Sequence, residues 1–118
     1  MEFQTIPILR IFDEDKAREF YLEFLGMHLD WEHRFETGFP IYMQVSKNNL
    51  VFHLSEHPDD CTPGGKVFVS VDNIDELYLE IASRDYIYNK IEVEESPWGD
   101  RYFTVVDPFS NKILFNGP

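Results

Sequence analysis

Four histidines, His28, His33, His53 and His57, are the side chains of this chain best suited to proton transfer or metal ligation. None shows the His-x-x-x-His pairing on a helix that sets two imidazoles side by side for zinc. His28 and His33 differ by an odd number, so a regular strand points them to opposite faces. His53 follows apolar Val51 and Phe52 in a central-strand pattern, which aims it either into a cleft or into a half-buried structural position. The carboxylates Asp13, Glu14, Asp15, Asp75 and Glu76 fall at helix starts, where they cap backbone N–H groups and complement the helix dipole. Glu92, Glu94 and Glu95 either meet a cation or line a solvated edge strand. No Ser-His-Asp order with a nucleophile elbow is present, and no phosphate-binding glycine loop. The single cysteine, Cys61, lies in a polar loop without a nearby base and has no intrachain disulfide partner. No catalytic residue is assigned from these groups.

Aromatic side chains supply the positive signal, at 16% of residues. Trp31, Phe35, Phe39, Tyr42, Trp98 and Tyr102 lie outside the helical apolar stripes, and flat faces of this kind grip planar or cationic groups. Trp98 stands in Ser96-Pro97-Trp98-Gly99-Asp100-Arg101. Pro97 fixes one backbone dihedral and Gly99 frees the next. The apolar run Tyr102 to Val106, the turn Asp107-Pro108-Phe109-Ser110-Asn111 and the run Lys112 to Phe115 follow, a β-hairpin pattern with the indole at its entrance. The competing role for Trp98 is a core anchor.

The elements that must hold these residues repeat. A strand over Ile6 to Phe12 leads to the cap Asp13 and a helix whose apolar face is Ala17, Phe20, Tyr21, Phe24 and Leu25, ended by Gly26. Three strand patterns follow: Met27 to His33, Phe39 to Ser46 and Leu50 to Ser55, with a turn at Lys47-Asn48-Asn49. Half a chain length on, a strand over Val67 to Val71 leads to caps at Asp72 and Asn73 and a helix with Ile74, Leu77, Tyr78 and Ile81 on one face. Strand patterns over Tyr86 to Glu94, Tyr102 to Val106 and Lys112 to Phe115 complete it. The chain reads as an α+β single domain over residues 1–118, built of two βαβββ modules (about 1–56 and 66–118) joined by a turn-rich linker over 57–65. The two sheets are expected to curve around a cleft with the helices packed outside.

Composition bounds the partners. A formal net charge of −12 repels phosphate backbones, so nucleic acid is disfavoured and cations are attracted. No apolar run approaches the ~20 residues that span a bilayer, and the N-terminus has no signal-peptide pattern, so no membrane partner and a cytoplasmic location are expected.

The duplicated βαβββ pattern, with Ile8-Leu9-Arg10-Ile11-Phe12-Asp13, the helix Ala17 to Leu25, Gly26 and the ending Pro97-Trp98-Gly99…Asp107-Pro108-x-x-Asn111, resembles the glyoxalase/bleomycin-resistance/dioxygenase (vicinal oxygen chelate) superfamily over essentially the whole chain. The Pro-Trp-Gly segment resembles its bleomycin-resistance branch more specifically. Enzymes of the superfamily place metal ligands on four strands; the resemblance sets these positions at Ile6, His53, Lys66 and Leu114. Ile6 and Leu114 carry no donor atom and Lys66 is ordinarily protonated, so the resemblance implies a member without metal or other cofactor. It also implies a homodimer that exchanges its first strand, with Pro7 at an edge or crossover position. The dimer captures a planar or cationic compound, bleomycin-like in the resistance proteins, at its clefts. The ligand-binding residues expected are Trp98, Asp30, Trp31, Phe35, His53, Tyr42 and Tyr102, with Asp30 pairing to a cation. The alternatives are a lyase or dioxygenase of the same superfamily with an atypical metal site on His53, joined by His57 or a carboxylate, and an interaction module using the fold only as a scaffold.

Overall fold

In the computed structural model, which describes residues 1–86 and 90–118, each half of the chain builds a four-stranded mixed sheet. The first half runs β1 (Ile8–Arg10), helix α1 (Glu14–Arg18) continued by a π-helical segment (Glu19–Phe24), β2 (His28–His33), β3 (Tyr42–Lys47) and β4 (Leu50–Ser55). The second runs β5 (Lys66–Ser70), α2 (Ile74–Ala82), β6 (Glu94–Glu95), β7 (Arg101–Val106) and β8 (Lys112–Gly117). Strand orders are β1-β4-β3-β2 and β5-β8-β7-β6, the same topology twice, with β1 parallel to β4, β5 parallel to β8 and all other pairs antiparallel. The repeat read from the sequence is thus a repeat of structure.

Local chemistry explains the elements and their departures from expectation. Asp13 caps α1 by accepting from the Lys16 N–H at 2.9 Å, and Asn73, not Asp72, caps α2 through the Glu76 N–H. The first helix is not α-helical throughout. It widens into a π-helix, closed by Leu25 N–H to Phe20 C=O, and Gly26 ends it at φ +74°. The wider turn still buries Phe20, Tyr21 and Phe24. β1 is shorter than Ile6 to Phe12: Pro7 has no N–H for a ladder, although its carbonyl accepts from His53 N–H. β3 starts at Tyr42 rather than Phe39, because Pro40 precedes it and Phe39 N–H closes a turn onto Glu36. Of the strand expected over Tyr86 to Glu94, residues 87–89 lie outside the described residues, Tyr86 and 90–93 are not strand, and Glu94 opens β6.

One face of each sheet is apolar and covered. Leu9, Met43, Val45, Phe52 and Leu54 of the first sheet, and Phe103, Val105, Ile113 and Phe115 of the second, share one core with Phe20, Tyr21, Phe24, Ile74 and Ile81 from the helices. A buried polar latch joins the halves. Asp107 accepts from the Tyr21 hydroxyl at 2.7 Å and from the backbone N–H groups of Phe109 and Asn111. The Asn111 amide nitrogen donates to Asp107 and to the Arg10 carbonyl, while its oxygen accepts from Gly65 N–H. Burial pushes the Asp107 carboxyl up, and these donors pull against it. The opposite face of each sheet is open, and these two open faces carry the expected site residues.

Candidate functional site

On the first sheet, the register pairs Tyr42 with Ser55, Gln44 with His53 and Ser46 with Val51, so β3 and β4 present these side chains on the open face. β2 reaches the same face through a bulge. Leu29 pairs with Val45 and Trp31 with Gln44, leaving Asp30 as the extra residue. A bulge shifts the alternation of a strand by one position. It puts Asp30 and Trp31, neighbours in sequence, on one side. It also corrects the expectation for the histidines: His28 pairs with Ser46 and His33 with Tyr42, so both share the open face.

A hydrogen-bond chain crosses three strands there. The Tyr42 hydroxyl and His53 Nδ1 are 2.6 Å apart, and His53 Nε2 lies 2.9 Å from Gln44 Oε1. Gln44 Nε2 donates to Asp30 Oδ2 at 3.0 Å, while Ser46 Oγ donates to Asp30 Oδ1 at 2.9 Å. An amide nitrogen facing the carboxylate fixes the Gln44 oxygen toward His53, so His53 carries its proton on Nε2 and accepts from Tyr42 at Nδ1. Burial holds the His53 imidazole below its usual range, in keeping with this neutral form. Burial also pushes the Tyr42 hydroxyl up, which keeps it a donor. Hydrogen bonds from Gln44, His28 and Ser46 hold the Asp30 carboxyl below its ordinary value. Trp31 lies over this chain, stacked on Tyr42 with ring centroids 6.0 Å apart and edge-on to His53 at 5.3 Å. Asp30, Trp31, Tyr42 and His53 therefore form one cluster, with Gln44 and Ser46 as members that the sequence reading missed. Their period-two placement opposite the bulge was the signal for them. Phe35 stands beyond the end of β2, packed edge-on to His33 at 5.2 Å and exposed.

Trp98 and Tyr102 sit elsewhere. Trp98 occupies the turn between β6 and β7, closed by Gly99 N–H to Ser96 C=O, with Gly99 at φ +95°. The indole is 71% exposed, which excludes a core anchor. It forms one wall of an open groove of about 420 Å³, with Tyr102, Thr104, Leu114 and Phe68 along the open face of the second sheet. Phe68 is itself 59% exposed. Every residue lining this groove belongs to the second module. Within one chain the expected residues thus divide into two groups on two open faces.

The positions that the resemblance sets for metal ligands do not fit a divalent ion. His53 offers one imidazole, and both of its nitrogens are engaged. The β1 residue in register with it is Ile8, two positions after Ile6, and neither has a donor atom. On the second sheet Phe68 pairs with Leu114 and Lys66 with Lys112, a set of apolar and ammonium side chains. Among the described residues no group of three histidine, cysteine or carboxylate side chains converges elsewhere. Burial pushes the Cys61 thiol up, which keeps it in its unreactive form.

Comparison with known proteins bears on these two faces. The family model described as glyoxalase superfamily protein matches residues 1–118. Bleomycin resistance proteins of Geobacillus stearothermophilus and of Staphylococcus aureus are each 30% identical over 131 aligned positions, covering 95% of this chain and 94% of theirs. Among solved structures, a bleomycin-binding protein complexed with bleomycin aligns at a TM-score of 0.74 and 23% identity, over 99% of both chains. The bleomycin resistance determinant of transposon Tn5 aligns at 0.73 and 21%, over 98% of both chains. With the strand order repeated in both halves and the match running end to end, the chain belongs to the glyoxalase/bleomycin-resistance superfamily.

Proposed function

We propose that this protein captures a flat small molecule, bleomycin or a compound like it, by stoichiometric binding without chemical conversion. The observation that carries this reading is the exposed Trp98 indole in the wall of an aromatic groove. The kinship to bleomycin resistance proteins supplies the ligand class, and the misfit of the metal positions argues for a metal-free site. Asp30, held by several donors beside Trp31, is placed to meet a cationic group. Completion of the cleft is assigned to a second copy of the chain, whose first sheet covers the Trp98 groove. Exchange of β1 between copies fits its shortness and the exposed segment before it, where Phe3 is 87% exposed.

Stacking a ligand over ~100 Å² of indole stabilises the complex by ~2.5 kcal/mol at ~25 cal/mol per Å². Trp98→Ala is therefore expected to weaken bleomycin binding ~70-fold in calorimetric titration, with little change in melting temperature. Absence of bleomycin binding by the unaltered protein at roughly tens of micromolar removes the drug-specific reading. A stoichiometric divalent metal in protein purified without added metal would overturn the metal-free reading, and a monomer by light scattering would overturn the dimer.

A further inference from the structure

Cations are scarce in this chain, 10 against 22 acidic residues, and half of them are already paired. Arg18, Arg34, Lys47, Arg84 and Arg101 each lie against a carboxylate. Lys66 and Lys112 are different. They face each other directly in the parallel β5–β8 register, both exposed and both on the open face that carries Phe68 and Leu114. Neighbouring strands lie ~4.8 Å apart, so two ammonium groups project side by side. Like charges opposite one another in a sheet are destabilising. Among the described residues, neither lysine has a carboxylate within salt-bridge distance, despite the excess of acid in the protein. Lys66 also lines the groove that Trp98, Tyr102 and Phe68 build.

The groove has a fixed polarity. Lys112 is in register with Val106 of β7, whereas Glu94 of β6 is in register with Tyr102. Four residues along a strand separate the two positions, ~13 Å, with the width of the sheet between them. One corner of the groove is therefore cationic through Lys66, with Lys112 next to it in register just outside the lining; the opposite corner carries Glu94, and aromatic surface lies between.

We propose that the Trp98 groove selects flat compounds bearing an anionic group, a carboxylate or sulfonate, and that Lys66 and Lys112 together hold that group. This rests on the reading of the groove as a small-molecule site and departs from bleomycin itself as its occupant: the group held on this sheet is anionic, whereas the cationic group assigned to Asp30 lies on the other sheet. Ammonium groups on flexible stems bind an anion as point charges, and two at adjacent strands converge on one oxygen pair. The anion in turn relieves the repulsion between them. An aromatic body attached to it lies along Phe68 and Tyr102 toward Trp98.

The test uses 2-naphthoate and its neutral counterpart 2-naphthamide as probes, titrated calorimetrically at low salt into the full-length protein. The unaltered protein is expected to bind the naphthoate at least ~10-fold more tightly than the amide. The double substitution Lys66→Gln with Lys112→Gln, at two exposed positions, is expected to bring naphthoate affinity down to that of the amide. Equal affinity for the two probes, or a preference that survives the double substitution, overturns the proposal. If the amide binds in a Trp98-dependent way but the naphthoate binds no better, the groove reading stands and the anion proposal falls. Lysine-dependent naphthoate binding that ignores Trp98→Ala supports the lysine pair and overturns the role of Trp98. Failure of both probes to bind overturns the anion proposal, while the bleomycin titration decides the reading of the groove separately.

Discussion

Asn111→Ala should cost this protein a large part of its stability, because one fully buried amide serves three partners in two modules. Its oxygen accepts from Gly65 N–H at 3.1 Å, and its nitrogen donates to the Arg10 carbonyl at 2.7 Å and to Asp107 Oδ2 at 2.8 Å. Alanine leaves Gly65 N–H and the Arg10 carbonyl without those partners. Both groups are part-buried, so each one stranded costs ~1–2 kcal/mol. Asp107 keeps Tyr21 and two backbone donors, so its loss is smaller. The expected total is ~3–5 kcal/mol, against a typical domain stability of ~5–15 kcal/mol. In urea titration monitored by circular dichroism, with a slope of ~2 kcal/mol per M, the midpoint should fall by ~2 M. Asn111→Asp sharpens the reasoning. It keeps the acceptor for Gly65 but turns both donated bonds into oxygen–oxygen contacts and sets a carboxylate against Asp107. Burial already pushes Asp107 toward its protonated form, so the Asp variant should be less stable than the Ala variant at pH 7 and recover ground on acidification, as one carboxyl gains a proton. A loss under ~1 kcal/mol for Asn111→Ala, or Ala and Asp variants with the same pH dependence, would refute the latch.

Two further outcomes follow from other parts of the fold. Burial lowers the His53 pKa, so its NMR titration midpoint should lie below the ~6.5 of a free imidazole. A depressed folded value means that the stabilising contribution is present above the unfolded pKa and is lost as pH falls through the folded one. The stability difference between the unaltered protein and His53→Gln should accordingly shrink on acidification below that unfolded value; a midpoint at or above it contradicts the neutral Tyr42–His53–Gln44 chain. Gly117→Ala would place a Cβ 2.5 Å from the Val71 carbonyl and 2.9 Å from Ile74 Cβ. Backbone cannot yield there, so overpacking should cost ~2–3 kcal/mol in urea titration, and a neutral substitution would refute the close packing of β8 on Val71 and Ile74.

Elements that rest on local chemistry were legible in the sequence. The caps Asp13 and Asn73, the left-handed Gly26 and Gly99, and the alternation of β4, β7 and β8 all follow from side-chain type and spacing. The duplication was legible because each βαβββ unit carries the same signals in the same order. What was not legible depends on partners far away in the chain. A π-helix and an α-helix bury similar apolar residues over two turns, so the stripe Ala17, Phe20, Tyr21, Phe24 reads as either. Among the described residues, β6 finds its neighbour on β7 at Glu94 and Glu95. The division of the site was hidden for the same reason: spacing tells which face of a strand a residue takes, not which faces meet.

The bulge at Asp30 shows how one residue decides what a sheet face can do. Under strict alternation Asp30 and Trp31 point to opposite sides, and one of them would enter the apolar core beside Val45. An ionised carboxylate there would be costly. With the bulge, the carboxylate instead lies over β3, where Gln44 and Ser46 donate to it, and the indole falls on Tyr42 beside it. The first sheet thereby gains a flat surface next to a fixed negative charge. The second sheet, of identical topology but without that bulge, shows Phe68, Tyr102 and Trp98 beside two unpaired lysines. The duplicated halves thus present faces of similar aromaticity and different charge, with Asp30 on the first and Lys66, Lys112 and Glu94 on the second. In the proposed dimer, the carboxylate beside the Trp31 indole of one copy would stand across the ligand from the lysines beside the Trp98 groove of the other.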